Sequence, residues 1–136
     1  MDHFNTMTVS WGMMGTFWGV PAATVYVRDS RYTLGFMKDS EYFTLSMFDA
    51  DKKKDLAILG ARSGRDGDKI AATSLHAKKL EHGVGFEEAK CTLILKKLYA
   101  QRMDMDAMPA EILEKWYPNG DDHTMFIGQV VGMIRE

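Results

Sequence analysis

The chain has 136 residues, which suits one domain burying roughly two-thirds of the surface its unfolded chain exposes. Its 17 Lys and Arg against 19 Asp and Glu give a net charge of -2, which excludes a nucleic-acid binder working through a broad basic field. With 46% apolar and 26% charged residues it is neither disordered nor low-complexity, and the single cysteine, Cys91, excludes a disulfide framework or a multi-cysteine metal site and fits a cytoplasmic protein.

Phe4 to Val27 carries no formal charge and is long enough to span a bilayer. Its Asn, Thr, Ser, Gly and Pro residues make it too polar and too broken for a lipid-facing helix, so no membrane span is expected. Met1-Asp2-His3 lacks the basic start of a signal peptide. The stretch reads instead as two buried strands. The first is Thr6 to Trp11, with Met7, Val9 and Trp11 on one face and Thr6, Thr8 and Ser10 on the other. Met13 to Val20, rich in glycine and followed by Pro21, reads as a loop, and Ala22 to Arg28 as the second strand. Asp29 or Ser30 offers a cap for a short helix over Arg31 to Lys38.

Tyr42 to Phe48 is the third strand, and Lys54 to Gly60 a second short helix with Leu56 and Leu59 as its apolar stripe. Ser63 to Asp68 is a turn and Lys69 to Ala72 a helical turn. Val84 to Glu88 and Lys90 to Gln101 are strands after the His82-Gly83 turn. Pro109 to Trp116 is a helix, with proline in its first turn. His123 to Ile134 is the last strand, long enough to bend at Gly128 or Gly132. About six strands with short, irregularly spaced helices argue against a parallel βαβ series and for an antiparallel sheet closing into a small barrel. Residues 1–136 form a single domain with no internal repeat.

Three polar constellations stand out. The hydroxyl ladder Thr6, Thr8 and Ser10, introduced by Asn5, can present several hydrogen bonds to one flat polar ligand, although a solvent-facing strand also favours threonine. Arg28-Asp29-Ser30-Arg31-Tyr32-Thr33 sets two cations and two hydroxyls at a helix start, which suits a phosphate and equally an ordinary cap with a surface ion pair. Ser63-Gly64-Arg65-Asp66-Gly67-Asp68-Lys69 is a glycine-containing turn without Walker A or EF-hand order. The four histidines never pair at metal-ligand spacing, so no metal site is expected. Cys91 has no catalytic signature around it.

Together these segments resemble the flavin reductase-like family, with its FMN-binding split-barrel fold of Greek-key type. Asn5-Thr6-Met7-Thr8-Val9-Ser10-Trp11-Gly12 resembles that family's first flavin-contacting strand. Pro21 through Arg28 and Ser30-Arg31-Tyr32-Thr33 resemble its second strand and phosphate-binding turn. Ser63-Gly64-Arg65-Asp66 with Asp68-Lys69 resembles its serine-glycine turn, and Tyr117-Pro118-Asn119, His123 and Phe126-Ile127-Gly128 its last strand. Family members carry a further strand ahead of the Asn-Thr-Met-Thr segment; only Met1 to Phe4 precede it here, which would leave a barrel edge open.

The resemblance implies FMN as cofactor and NAD(P)H as transient electron donor. Asn5, Thr6, Met7, Thr8 and Ser10 would run along the isoalloxazine and ribityl chain, with Trp11 as a pocket wall. Arg28, Ser30, Arg31 and Thr33 would surround the 5′-phosphate, with Ser63, Gly64 and Lys69 beside them. His123 would be a helper near the flavin or nicotinamide, or else a hydrogen-bonded structural histidine. A homodimer with the flavin near its interface is implied, with a monooxygenase or electron-acceptor protein downstream. Two alternatives stay open: an FMN electron carrier of the flavoredoxin kind, and a non-enzymatic split-barrel module used for binding or dimerisation.

Overall fold

The computed structural model describes residues 3–136; Met1 and Asp2, part of the expected domain, lie outside the described residues. The architecture is mainly antiparallel β with short helices, as expected. Among the described residues no helix is long and apolar enough to cross a membrane.

Gly12–Phe17 (β1) and Val20–Arg28 (β2) form the first hairpin, closed by the Phe17–Val20 pair. Trp18 and Gly19 between them both have positive φ, 52° and 73°. Two left-handed residues give a two-residue turn the twist its strands require. Two expectations are corrected here. Thr6 to Trp11 is not a strand but a segment without ladder partners, and Met13 to Val20 is not a loop but the first hairpin. The glycines that suggested a loop serve the ladder: a Cβ on Gly12 would lie 2.7 Å from the Thr24 carbonyl oxygen, and Gly19 completes the turn. The apolar alternation of the segment does not become a buried face either. Met7 packs on the core, whereas Val9 and Trp11 are each 45% exposed.

Thr33–Asp39 (α1) starts two residues later than expected, and Tyr32 rather than Asp29 or Ser30 stands at its N-cap without a side-chain bond. Tyr42–Met47 (β3) and Lys53–Ala61 (α2) match their expected positions closely. Ala77–Lys79 (β4) and Val84–Phe86 (β5) form a small hairpin. β4 escaped the sequence reading because three residues with two lysines carry no alternation. Cys91–Arg102 (β6), Ala110–Trp116 (α3) and His123–Arg135 (β7) complete the chain.

The main sheet has five strands in the order β1-β2-β7-β6-β3, and β4-β5 forms a separate sheet. The expected closure into a barrel is not reached. Among the described residues β3 pairs only with β6, and the hairpin meets it through Thr44 Oγ1, which donates to the Val84 carbonyl at 2.6 Å. The long β6–β7 ladder slips twice, leaving Leu98 and Val131 unpaired as bulges, each beside one of the expected bending glycines. At Gly128 a Cβ would come within 2.8 Å of the Phe43 ring, so glycine lets β7 lie close under the core.

The core joins Ala23, Val25 and Val27 of β2, Leu34 and Met37 of α1, and Phe43, Leu93, Leu95 and Phe126. Leu95 and Phe126 are fully buried, each contributing about 2 kcal/mol by removal of apolar surface from water. A smaller cluster of Leu59, Leu75 and Phe86 ties α2 to the β4–β5 hairpin. Between the two clusters runs the unladdered N-terminal segment.

Candidate functional site

Three connections converge on that segment. The turn from β2 to α1 brings Ser30, Arg31 and Thr33; the turn after α2 brings Ser63, Gly64 and Lys69; Asn5 and Met7 come from the segment itself. All eight line one cavity of about 290 Å³. Asn5 Nδ2 donates to Thr33 Oγ1 at 2.8 Å, which fixes the segment to the start of α1. Gly64 is required for this approach, because a Cβ there would collide with Asn5 Oδ1 and lie 3.0 Å from the Tyr32 ring. The spacing of Asn5, Thr33 and Gly64 in the sequence says nothing of this contact; only the fold brings them together.

The cavity is cationic. Among the described residues, Arg31, Arg62, Arg65 and Lys69 line it and no carboxylate does. Lys69 is 6% exposed, and its Nζ donates to the Leu59 carbonyl at 2.9 Å and the Arg62 carbonyl at 3.0 Å, capping the end of α2. Burial, then the nearby Arg31 charge, push its pKa below the ordinary lysine value. An ammonium has three hydrogens, so one remains for a ligand. Arg65 braces the far side: its backbone N–H donates to Ser63 Oγ at 3.1 Å and its Nη1 to the Ser30 carbonyl at 3.1 Å, while the guanidinium stacks on Tyr32. Such a set of fixed donors and cations fits a phosphate or another compact anion.

Thr6 and Thr8 lie beyond Asn5, in the wall of a second cavity of about 440 Å³ between the segment, β3 and the β4–β5 hairpin. Asn5, Met7 and Thr33 line both cavities. The second is walled by Val25, Val27, Phe43 and Phe86 and also by polar groups, among them Thr44, Ser46, Lys79 and Glu81. A pocket with apolar walls and hydrogen-bonding groups beside a cationic one suits a planar polar ring bearing a phosphate tail.

Four expected site residues stand elsewhere. Ser10 is exposed and lines neither cavity. Trp11 packs edge-on against Trp116, with ring centroids 5.0 Å apart, and lies 5.5 Å from the His123 ring. Arg28 does not reach the cavity. Its guanidinium donates to the Trp116 carbonyl at 3.0 Å and the Asp121 carbonyl at 3.1 Å, over the Tyr117 ring. His123 is 5% exposed and bonded through Nδ1 to the Tyr117 hydroxyl at 2.5 Å. Burial, then the Arg28 charge, lower the imidazole pKa, which favours the neutral ring at neutral pH. The sequence reading does not name Arg62, Arg65 or Asp121 as site residues, although Arg65 lies inside the Ser63–Lys69 turn.

Comparison with known proteins bears on the family and the fold. The model of the flavin reductase like domain matches residues 1–136. No curated protein matches the chain. An FMN-binding protein from Thermus thermophilus, with bound p-hydroxybenzaldehyde, superposes with a TM-score of 0.77 at 22% identity, covering 100% of this chain and 67% of that one. Flavoredoxin from Methanosarcina acetivorans gives 0.72 at 17% identity, covering 97% of this chain and 61% of that one. An NADH:FAD oxidoreductase from Streptomyces globisporus C-1027 gives 0.72 at 16% identity, covering 97% and 68%. At such identities the likeness is one of fold, and the chain spans only 61% of the flavoredoxin.

Proposed function

The chain belongs to the flavin reductase-like domain family, and from that membership we propose that it binds FMN and passes a hydride from NAD(P)H to the flavin. The observation that carries the reading is the 290 Å³ cavity, which gathers Asn5, Ser30, Arg31, Thr33, Ser63, Gly64 and Lys69 around a space lined by cations and, among the described residues, by no carboxylate. When bound, the flavin supplies the hydride-accepting chemistry. The residues supply binding and orientation. Arg31 and the third Lys69 hydrogen hold the phosphate. The Thr33 hydroxyl, which already accepts from Asn5, has its own proton to donate. Thr6 and Thr8 serve the polar edge of the ring. No side chain is needed as a nucleophile.

Dimerisation is part of the proposal. Met13 and Met14 are 66% and 65% exposed on β1, and Phe17 and Trp18 extend the apolar surface to Tyr99 of β6. Apolar surface of this kind marks an interface between proteins. A second copy covering it would form the homodimer that the resemblance implies, with the flavin near its edge. A monooxygenase or electron-acceptor protein would then consume the reducing equivalents.

The likeness to flavoredoxin keeps an electron-carrier reading alongside. An absorbance spectrum of the purified protein with FMN, followed by anaerobic NADH or NADPH, separates the two. Flavin bands that bleach with nicotinamide support the reductase; bands that persist until dithionite is added support the carrier. Failure to bind FMN would overturn both and leave a non-enzymatic module.

A further inference from the structure

Asp121 is not in the cavity, yet it grips the loop that lines it. It lies two residues before β7 with φ +63°, in the left-handed region that side chains seldom adopt. Both of its carboxylate oxygens are spent on one residue: Oδ1 accepts the Ser30 backbone N–H at 2.8 Å and Oδ2 the Ser30 hydroxyl at 2.7 Å. Its carbonyl accepts from Arg28, and the adjacent Asp122 carbonyl accepts the Asp29 N–H at 2.9 Å. On the other side, the Ser30 carbonyl accepts from Arg65, whose N–H is anchored on Ser63. Ser30 is therefore held from both ends. Its hydroxyl proton is already given to Asp121, so the loop offers a ligand Arg31 and Thr33 instead.

From this geometry we propose that Asp121 is a positioning residue. By clamping Ser30 it sets Arg31 and Thr33 against the Ser63–Gly64 turn, and so creates the preference for a phosphorylated over an unphosphorylated flavin. The inference rests on reading the cavity as the phosphate site. The carboxylate's two oxygens are turned to Ser30 and the Arg28 guanidinium beside it offsets its charge, so the clamp outweighs direct repulsion of the anion. The strained backbone at position 121 aims the carboxylate at the loop, a task that only a residue with a short acceptor side chain can combine with this conformation.

The test compares FMN with riboflavin, which lacks only the phosphate, by quenching of flavin fluorescence. Asp121→Ala should weaken FMN binding by about tenfold while leaving riboflavin within about twofold. Asp121→Asn tolerates the left-handed backbone and keeps one acceptor for the Ser30 N–H, so it should recover part of the loss. Asp121→Gly relieves the backbone without restoring the clamp and should behave as Asp121→Ala. Hydrogen exchange at the Ser30 amide reads the clamp without any flavin: it should accelerate at least about tenfold in the Ala and Gly variants, with Val25 in β2 unchanged. An unaltered FMN-to-riboflavin ratio in Asp121→Ala, with the Ser30 amide released, would overturn the inference. Equal FMN and riboflavin affinities in the unsubstituted protein would instead overturn the phosphate-site reading, and the inference with it.

Discussion

Replacing Lys69 by Met tests the site and the fold together. The ammonium caps two carbonyls at the end of α2, those of Leu59 and Arg62, in a nearly inaccessible position. Methionine keeps most of the stem but leaves the Leu59 carbonyl without a partner. An orphaned buried acceptor costs about 1–3 kcal/mol, part of which is offset because burying the charge is itself unfavourable here. A net loss of about 2 kcal/mol lowers the unfolding midpoint of a chain this size by about 7 °C. Thermal unfolding followed by circular dichroism reads it. The pH dependence gives a second check. Folding lowers the Lys69 pKa, so between the folded and the ordinary lysine value the unfolded chain holds more protons, and stability rises with pH across that window. The difference between unsubstituted protein and Lys69→Met should therefore grow at the alkaline end, while FMN affinity falls as the cation is lost. A variant that melts at the original temperature and binds FMN as before would refute both the capping and the phosphate argument.

Arg31→Ala should weaken FMN by about tenfold and leave riboflavin unaffected, whereas Arg28→Ala should lower stability more than affinity, because its guanidinium holds the turn between α3 and β7; titration with both flavins and thermal melts distinguish them. For His123, whose pKa is lowered on folding, stability should be lost as pH falls from the ordinary imidazole value through the folded one. His123→Gln should flatten that acid limb in a urea-unfolding series. Trp18→Glu, at the tip of the exposed hairpin, should convert a dimer into a monomer, measured by light scattering after size exclusion.

Much of the fold was legible because β2, β3, β6 and β7 are long or strongly β-forming, and the α2 stripe of Leu56 and Leu59 is regular. What failed has a physical cause. The Thr6–Trp11 alternation looked like a strand, but alternation only says that two sides differ, not that a neighbouring strand exists. Gly12, Gly15 and Gly19 looked like a loop, yet one permits a close backbone approach and another a tight turn. In the site, the strings Ser30 to Thr33 and Ser63 to Lys69 are legible because each is local, whereas the meeting of Asn5 with Thr33 and Gly64 is not, because only the fold brings those segments together. Arg28 and Asp121 were misjudged or missed because their partners lie 88 to 93 residues away in the chain. A guanidinium beside a serine in sequence carries no sign of which carbonyls will claim it.

The segment from Asn5 to Val9 separates the anion cavity from the apolar one, and no ladder holds it. It is a partition rather than a load-carrying wall. Its attachments include the Asn5–Thr33 bond, the seats of Asn5 on Gly64 and Thr8 on Gly60, and the contact of Met7 with the core. Detaching it breaks a few side-chain contacts and none of the five-stranded sheet, so its opening free energy lies far below that of global unfolding. A ligand spanning both cavities can therefore be admitted by local opening of one segment, and once seated it supplies the cross-connections that the segment lacks. Occupancy and local order are then a single equilibrium, with ligand concentration setting how tightly the two cavities are kept apart.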